Sequence, residues 1–115
     1  MLPVRYLPMM PARLRTAAEL EAAFAAERFL VFEHSTTCPI SAAAFEEYAR
    51  WSAAHPEAAT GWIDVIQERA LARAVAERTG IRHESPQAIL LARGEARWNA
   101  SHGTITEASL SSVAS

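Results

Sequence analysis

Cys38 is the only cysteine in a chain of 115 residues, and it stands in the run Thr37-Cys38-Pro39-Ile40-Ser41. A thiolate is the nucleophile of thiol–disulfide exchange. It is favoured where backbone N–H groups and the partial positive charge of a helix N-terminus converge. Pro39 suits the first position of a helix, because its missing N–H would have no intrahelical partner there. Cys38 is therefore expected at the N-cap, with the first-turn amides directed at its sulfur. Ser41, three residues on, is expected to donate its hydroxyl or backbone N–H to the same sulfur, and Thr37 and His34 are near enough in sequence to join. The spacing is that of a redox Cys-x-x-Cys in which serine replaces the second, resolving cysteine. Such a chain cannot resolve a mixed disulfide by itself, because exchange needs an attacking thiolate and no second one is present. An isolated cysteine also fits the role of a small buried hydrophobe. Its place in the fold is what distinguishes the two.

Several elements must form to hold Cys38 there. Thr16-Ala-Ala-Glu19 is a capping box, and the helix it starts carries Leu20, Ala23 and Phe24 on one face and ends near Glu27-Arg28. Phe29-Leu-Val-Phe32 is bulky and apolar without alternation, as in a strand covered on both faces. The helix opened by Pro39 runs to about Ala54, where His55-Pro56 stops it. Gly61 to Ile66 reads as another buried strand. Ala70 to Thr79 reads as a helix with Leu71, Ala74 and Val75 inward, ended by a left-handed Gly80. Ser85-Pro86 introduces Gln87–Ala92, and Arg93-Gly94 turns that strand into Glu95–Ala100 as a hairpin. Thr104 and Thr106, with Glu107, can cap a last helix containing Leu110 and Val113. A further strand is expected somewhere between Val4 and Leu14. Alternating elements followed by a hairpin imply right-handed crossovers onto a mixed sheet flanked by helices, an α/β arrangement of the thioredoxin-like kind. In such folds a cis-proline opens the strand facing the cysteine, and its neighbour's backbone takes the substrate's main chain as an added strand. Ser85 and Pro86 are in position for that.

Composition narrows the function classes. Half the residues are hydrophobic and 21% are charged, so the chain folds, and its length suits one domain over residues 1–115, with 1–11 as an extension or first strand. A formal net charge of -2 gives no broad basic field for nucleic acid or anionic lipid. Every basic side chain apart from histidine is arginine. One cysteine excludes an internal disulfide framework and any metal site built from several thiolates of one chain, which fits a reducing compartment. The three prolines among the first eleven residues interrupt any apolar core of a secretory signal, and no run reaches the roughly 20 apolar residues of a membrane span. A cytoplasmic protein is expected. Trp51, Trp62 and Trp98 read as core or flank packing, and Glu68, Arg69, Arg73 and Glu77 as a solvated helix face.

Three blocks, Phe32-Glu-His-Ser-Thr-Thr-Cys-Pro-Ile-Ser41, His83-Glu-Ser-Pro-Gln-Ala-Ile-Leu90 and Trp98-Asn-Ala-Ser-His102 with Ile105-Thr106 after it, occur in an order that resembles the YtxJ-like monothiol bacilliredoxins. The resemblance spans the chain from about Phe29 onward. It implies a thioredoxin-like protein that removes bacillithiol from mixed disulfides on oxidised client proteins. By position, Cys38 would be the attacking thiol, Ser41 the replacement for a resolving cysteine, and Pro86 the cis-proline. Thr37, Pro39, Ser85, His34 and His102 are candidate substrate contacts. No tightly bound cofactor is implied, and bacillithiol would act as thiol co-substrate. That thiol carries carboxylates in its malate unit, which the first-turn amides after Cys38, or Arg82 and His83, could receive.

Three other functions remain open from the residues alone. A general monothiol glutaredoxin would share the fold and Cys38, and would differ in its preferred thiol. An iron–sulfur carrier would use one cysteine from each of two chains, although the Cys-Gly-Phe-Ser pattern usual there is absent. A non-catalytic module would dock a partner peptide at the sheet edge near Ser85, with an unreactive Cys38.

Overall fold

The computed structural model describes residues 11–114, so residues 1–10, and with them most of the expected N-terminal extension, lie outside the described residues. In chain order the elements are β1 (Ala12–Arg13), α1 (Ala17–Ala25), β2 (Phe29–His34), α2 (Pro39–Ala54), β3 (Thr60–Asp64), α3 (Arg69–Thr79), β4 (Gln87–Ala92), β5 (Glu95–Ser101) and α4 (Glu107–Ala114). A short 3-10 turn, His102–Thr104, joins β5 to α4.

Local chemistry explains most of the boundaries. The Thr16 hydroxyl accepts from the Glu19 N–H at 3.1 Å, and the Glu19 carboxylate accepts from the Thr16 N–H at 3.0 Å, closing the capping box. Gly80 ends α3 at φ 73, a left-handed conformation that costs glycine no Cβ clash. Arg93 (φ 49) and Gly94 (φ 81) form a two-residue hairpin turn whose handedness matches the strand twist. The Thr106 hydroxyl accepts from the Ser109 N–H at 3.0 Å and so caps α4.

Three boundaries depart from expectation, the first being α1, which stops at Ala25 short of Glu27-Arg28. β2 continues past Phe32 to His34, because Glu33 and His34 stay in parallel register with Ile63 and Asp64. β3 stops at Asp64 instead of Ile66. The Asp64 carboxylate accepts from the Ile66 N–H at 2.9 Å and the Gln67 N–H at 3.1 Å, and that turn ends the extended run.

The five strands run in the order β1-β3-β2-β4-β5, with β1, β3 and β2 parallel and β4 and β5 antiparallel to their neighbours. Side chains of β2 and β4 alternate between two cores. Val31, Ile89 and Leu91 pack with Leu20 and Phe24 of α1 and Leu71, Ala72 and Val75 of α3. Leu30, Phe32, Ala88 and Leu90 pack with Ala44, Tyr48 and Trp51 of α2 and Leu110 of α4. Both faces of β2 are thus covered, which is why its sequence shows no alternation. Phe32 and Tyr48 stack at 4.6 Å between ring centres, with neither exposed. Burial of each such side chain contributes roughly 1.5–3 kcal/mol. The Tyr48 hydroxyl is 2.8 Å from Thr60 Oγ1, which in turn donates to the Leu30 carbonyl at 2.7 Å, so both hydroxyls have partners.

Candidate active site

Cys38 caps α2 as expected, in an extended conformation (φ -105, ψ 121) with Pro39 as the first helical residue. Its backbone is held on both sides. The Cys38 N–H donates to the Ser35 carbonyl at 3.2 Å, and the Cys38 carbonyl accepts from the Ala42 N–H at 3.0 Å. The thiol is half-buried. The expected hydrogen bonds from first-turn amides to the sulfur are not formed, since the side chain at this N-cap makes no capping bond. Thr37 and Pro39 flank it and are exposed.

Ser41 does not face Cys38. It lies on the buried stripe of α2 with Ala44, Tyr48 and Trp51, at helical spacing, and that stripe faces the sheet. Its hydroxyl accepts from the Ser35 N–H at 2.9 Å and is 2.8 Å from His34 Nδ1. The expectation that Ser41 bonds the cysteine sulfur is replaced by a clamp on the loop that carries it. His34 is likewise no loop residue. As the last residue of β2, it is buried, with its ring stacked on Phe45 at 4.6 Å and edge-on to Trp62 at 5.5 Å. Burial lowers its pKa below the usual histidine value, against a smaller opposing effect of the Asp64 charge. The Ser41 oxygen accepts from the Ser35 N–H, and its O–H can donate to Nδ1 in the neutral tautomer that carries the ring proton on Nε2.

The Ser85–Pro86 peptide bond is cis. Pro86 is buried, and it leads into β4 beside β2, where Gln87 pairs with Glu33. The Pro86 carbonyl accepts from the His102 N–H at 3.1 Å, which ties the 3-10 turn to the proline. His102 itself has φ 54 and an exposed ring, 3.8 Å from the Glu84 carboxylate. The Cys38 loop, Pro86 and His102 therefore gather at one end of the sheet. Beside them a groove of about 250 Å³ runs past Ile40, Ala44, Ile105 and His102. Ile40 at its rim is 57% exposed.

Sequence reasoning missed Glu33 and Gln87, and it placed His83 as a carboxylate receiver without its partner Glu33. Glu33 is 1% exposed, and burial pushes its carboxyl up to about 8. At neutral pH it is protonated, so its 3.1 Å contact with His83 Nδ1 is a carboxyl–imidazole hydrogen bond rather than an ion pair. Gln87, also buried, donates to the Arg82 carbonyl at 3.1 Å and accepts from the Glu84 N–H at 3.3 Å. Together they fix residues 82–87 and hence the approach to Pro86. His83 is thereby turned to Glu33, and Arg82 contributes its carbonyl to Gln87. A carboxylate directly after Phe29-Leu-Val-Phe32 was the available signal for Glu33.

Comparison with known proteins agrees with this geometry. The sequence profile of the family described as monothiol bacilliredoxin BrxC matches residues 12–110. The fold is similar to that of a protein described as a candidate oxidoreductase with a thioredoxin fold, at 32% identity and TM-score 0.84, covering 93% of this chain and 96% of that one. A thioredoxin variant from Halobacterium salinarum shares 23% identity at TM-score 0.73, covering 93% of this chain and 89% of that one. A thioredoxin from Trypanosoma brucei brucei reaches TM-score 0.74 at 7% identity, covering 95% of this chain and 91% of that one. Across the latter two the fold alone is shared.

Proposed function

This chain belongs to the monothiol bacilliredoxin family, and from that premise we propose that it removes bacillithiol from mixed disulfides on oxidised proteins through Cys38. The Cys38 thiolate attacks the bacillithiol sulfur of the mixed disulfide. An S–S bond forms to Cys38 as the client's S–S bond breaks, and the client leaves as a thiolate that takes a proton from water. A second bacillithiol thiolate then attacks the bacillithiol sulfur on Cys38, which releases bacillithiol disulfide and restores the Cys38 thiolate. No step needs a bound cofactor, and bacillithiol serves as co-substrate.

The observation that carries this reading is the single half-buried thiol at a strand–helix junction, at the same end of the sheet as a cis-proline, with serine in the resolving position. Because Cys38 is the only cysteine, the adduct cannot be resolved within the chain. Cys38 acts as nucleophile, and Ser41 positions its loop through His34 and Ser35. The Ser85 backbone receives the client main chain in extended form, with Thr37, Pro39 and His102 as flanking contacts. The partners are bacillithiol and bacillithiolated proteins in the cytoplasm. Among the described residues no helix is long and apolar enough to cross a membrane.

Intact mass of the reduced protein, after brief incubation with a bacillithiol-modified client beside a glutathione-modified control, tests the proposal. One bacillithiol-mass adduct on the wild type, with release of the client and none on Cys38→Ala, is the expected result. No adduct from either donor overturns it, and equal adducts from both would point to a general monothiol glutaredoxin.

A further inference from the structure

The groove of about 250 Å³ at the Cys38 end lies between the first two turns of α2 and the 3-10 turn. Ala44 and Ile105, both buried, form its floor; Ile40, His102 and Gly103, all exposed, form its walls; Glu47 stands two turns down α2 from Ile40. Both walls are tied to the site. Ile40 is two residues from Cys38 on the same helix, so their Cα atoms are no more than about 7 Å apart. The opposite wall is one hydrogen bond from the cis-proline, through the His102 N–H and the Pro86 carbonyl at 3.1 Å.

Charge around the groove is unbalanced. Glu47 accepts from the Glu107 N–H at 2.7 Å and pairs with Arg50, and Arg50 is shared with the Glu107 carboxylate at 3.7 Å. The Glu107 N–H, and after it the Arg50 guanidinium, hold the Glu47 carboxyl below its ordinary value, so it is ionised at neutral pH. On the other wall the Glu84 carboxylate is 3.8 Å from His102 Nδ1. Three carboxylates thus stand against one guanidinium, and Glu84 and Glu107 each keep 44% of their side-chain surface exposed. Even a protonated His102 leaves the rim net negative. An apolar floor beneath an acidic rim is complementary to a segment that offers an apolar side chain with a cation beside it.

We propose that this groove docks the client protein, taking a segment in which an apolar residue two positions from the modified cysteine is followed outward by a basic one. Two residues of extended chain span roughly 7 Å, the reach from Cys38 to the Ile40 wall. The apolar side chain packs on Ala44, Ile105 and Ile40, and the cation meets the carboxylates of the rim. The link to Cys38 rests on the de-bacillithiolation reading, whereas docking itself can be measured without thiol chemistry. Exposed ion pairs contribute little singly, so the preference for basic over acidic clients is about tenfold.

Peptides with one bacillithiolated cysteine test it on the wild type. Arg-Leu-Ser-Cys-Ser-Leu-Arg carries the pair on both sides, Glu-Leu-Ser-Cys-Ser-Leu-Glu reverses the charge, and Arg-Ser-Ser-Cys-Ser-Ser-Arg removes the apolar residue. The rate of Cys38 adduct formation is divided by the rate at which 2-mercaptoethanol attacks the same peptide, which corrects for the reactivity of each disulfide. The first peptide should exceed the acidic one about tenfold, less so with added salt, and should also exceed the serine-rich one. Equal corrected rates for all three, with adducts formed, overturn the docking proposal and leave the Cys38 mechanism standing. In Glu84→Gln/Glu107→Gln, with its fold checked by thermal unfolding, the charge preference should fall toward one; a preference kept in full overturns the role of the rim. Independently of thiol chemistry, Cys38→Ala protein is titrated with Arg-Leu-Ser-Ser-Ser-Leu-Arg, and backbone amide NMR shifts are expected at Ile40, Ala44, Gly103 and Ile105. Shifts only elsewhere, or none at millimolar peptide, overturn the proposal whatever the reactivity of Cys38. Groove shifts without an adduct from any donor would overturn the Cys38 mechanism and leave the docking surface standing.

Discussion

Glu33 and His34 are adjacent on β2 and point to opposite faces of the sheet, and burial keeps both uncharged near neutrality. Their effects on stability have opposite signs. The Glu33 carboxyl titrates higher in the folded chain, so its contribution is full below its ordinary value of 4.5 and is lost as pH rises to about 8. The His34 ring titrates lower when folded, so its contribution is full above the usual 6.5 and is lost as pH falls below it. In Glu33→Gln, the unfolding free energy from urea denaturation should exceed that of the wild type by an amount that grows between pH 5 and 8, to roughly 2 to 5 kcal/mol. A difference independent of pH would show that the carboxyl is not buried as described. Ser41→Ala should cost about 1–3 kcal/mol, because it leaves the Ser35 N–H and the buried His34 ring without their shared partner. Chemical denaturation measures that cost. The accompanying functional expectation is a lower adduct-formation rate at Cys38 from a less ordered loop, with the attacking atom unchanged.

At the scale of elements, the hairpin turn and the first helix have effects that can be separated from the site. A Cβ on Gly94 would sit 3.1 Å from the Phe24 carbonyl while the backbone holds φ 81, so Gly94→Ala should destabilise by about 1–2 kcal/mol. Thr16→Ala removes the cap of α1 and should cost about 1 kcal/mol. Both should leave the Cys38 adduct rate as it is; thermal unfolding beside the mass assay checks each. These features were legible in the sequence because they depend on neighbours in the chain: the threonine and glutamate of a capping box, the proline after Cys38, and the arginine–glycine pair of the turn. Ser41 and His34 were misread for a different reason. Ser41 stands at helical spacing from Ala44, Tyr48 and Trp51, which pack toward the sheet, and the Cys-x-x-Ser spacing masks that periodicity. The pairing of Glu33 with His83 spans fifty positions and needed the tertiary fold to appear. The two-residue β1 carries almost no pattern of its own and follows from its pairing with Gly61 and Trp62.

Across the whole molecule, the reactive group is rooted in the part of the sheet with the most support. β2 is the central strand of five, hydrogen-bonded to β3 on one side and β4 on the other, with a packed core on each face. The loop to Cys38 is only four residues long on that strand, and the α2 stripe beyond it fills the second core. Opening of a frayed edge such as β1 or the end of α4 therefore does not release the cysteine; only opening of the entire core does. Read as a clock, Cys38 should be modified by an alkylating agent at a rate that stays level as urea is raised, and that departs from level only at the midpoint reported by the buried Trp51. A slope well before that midpoint would reveal partial opening around β2. A thiol mounted this way keeps its chemistry for as long as the chain remains folded, and loses it all at once.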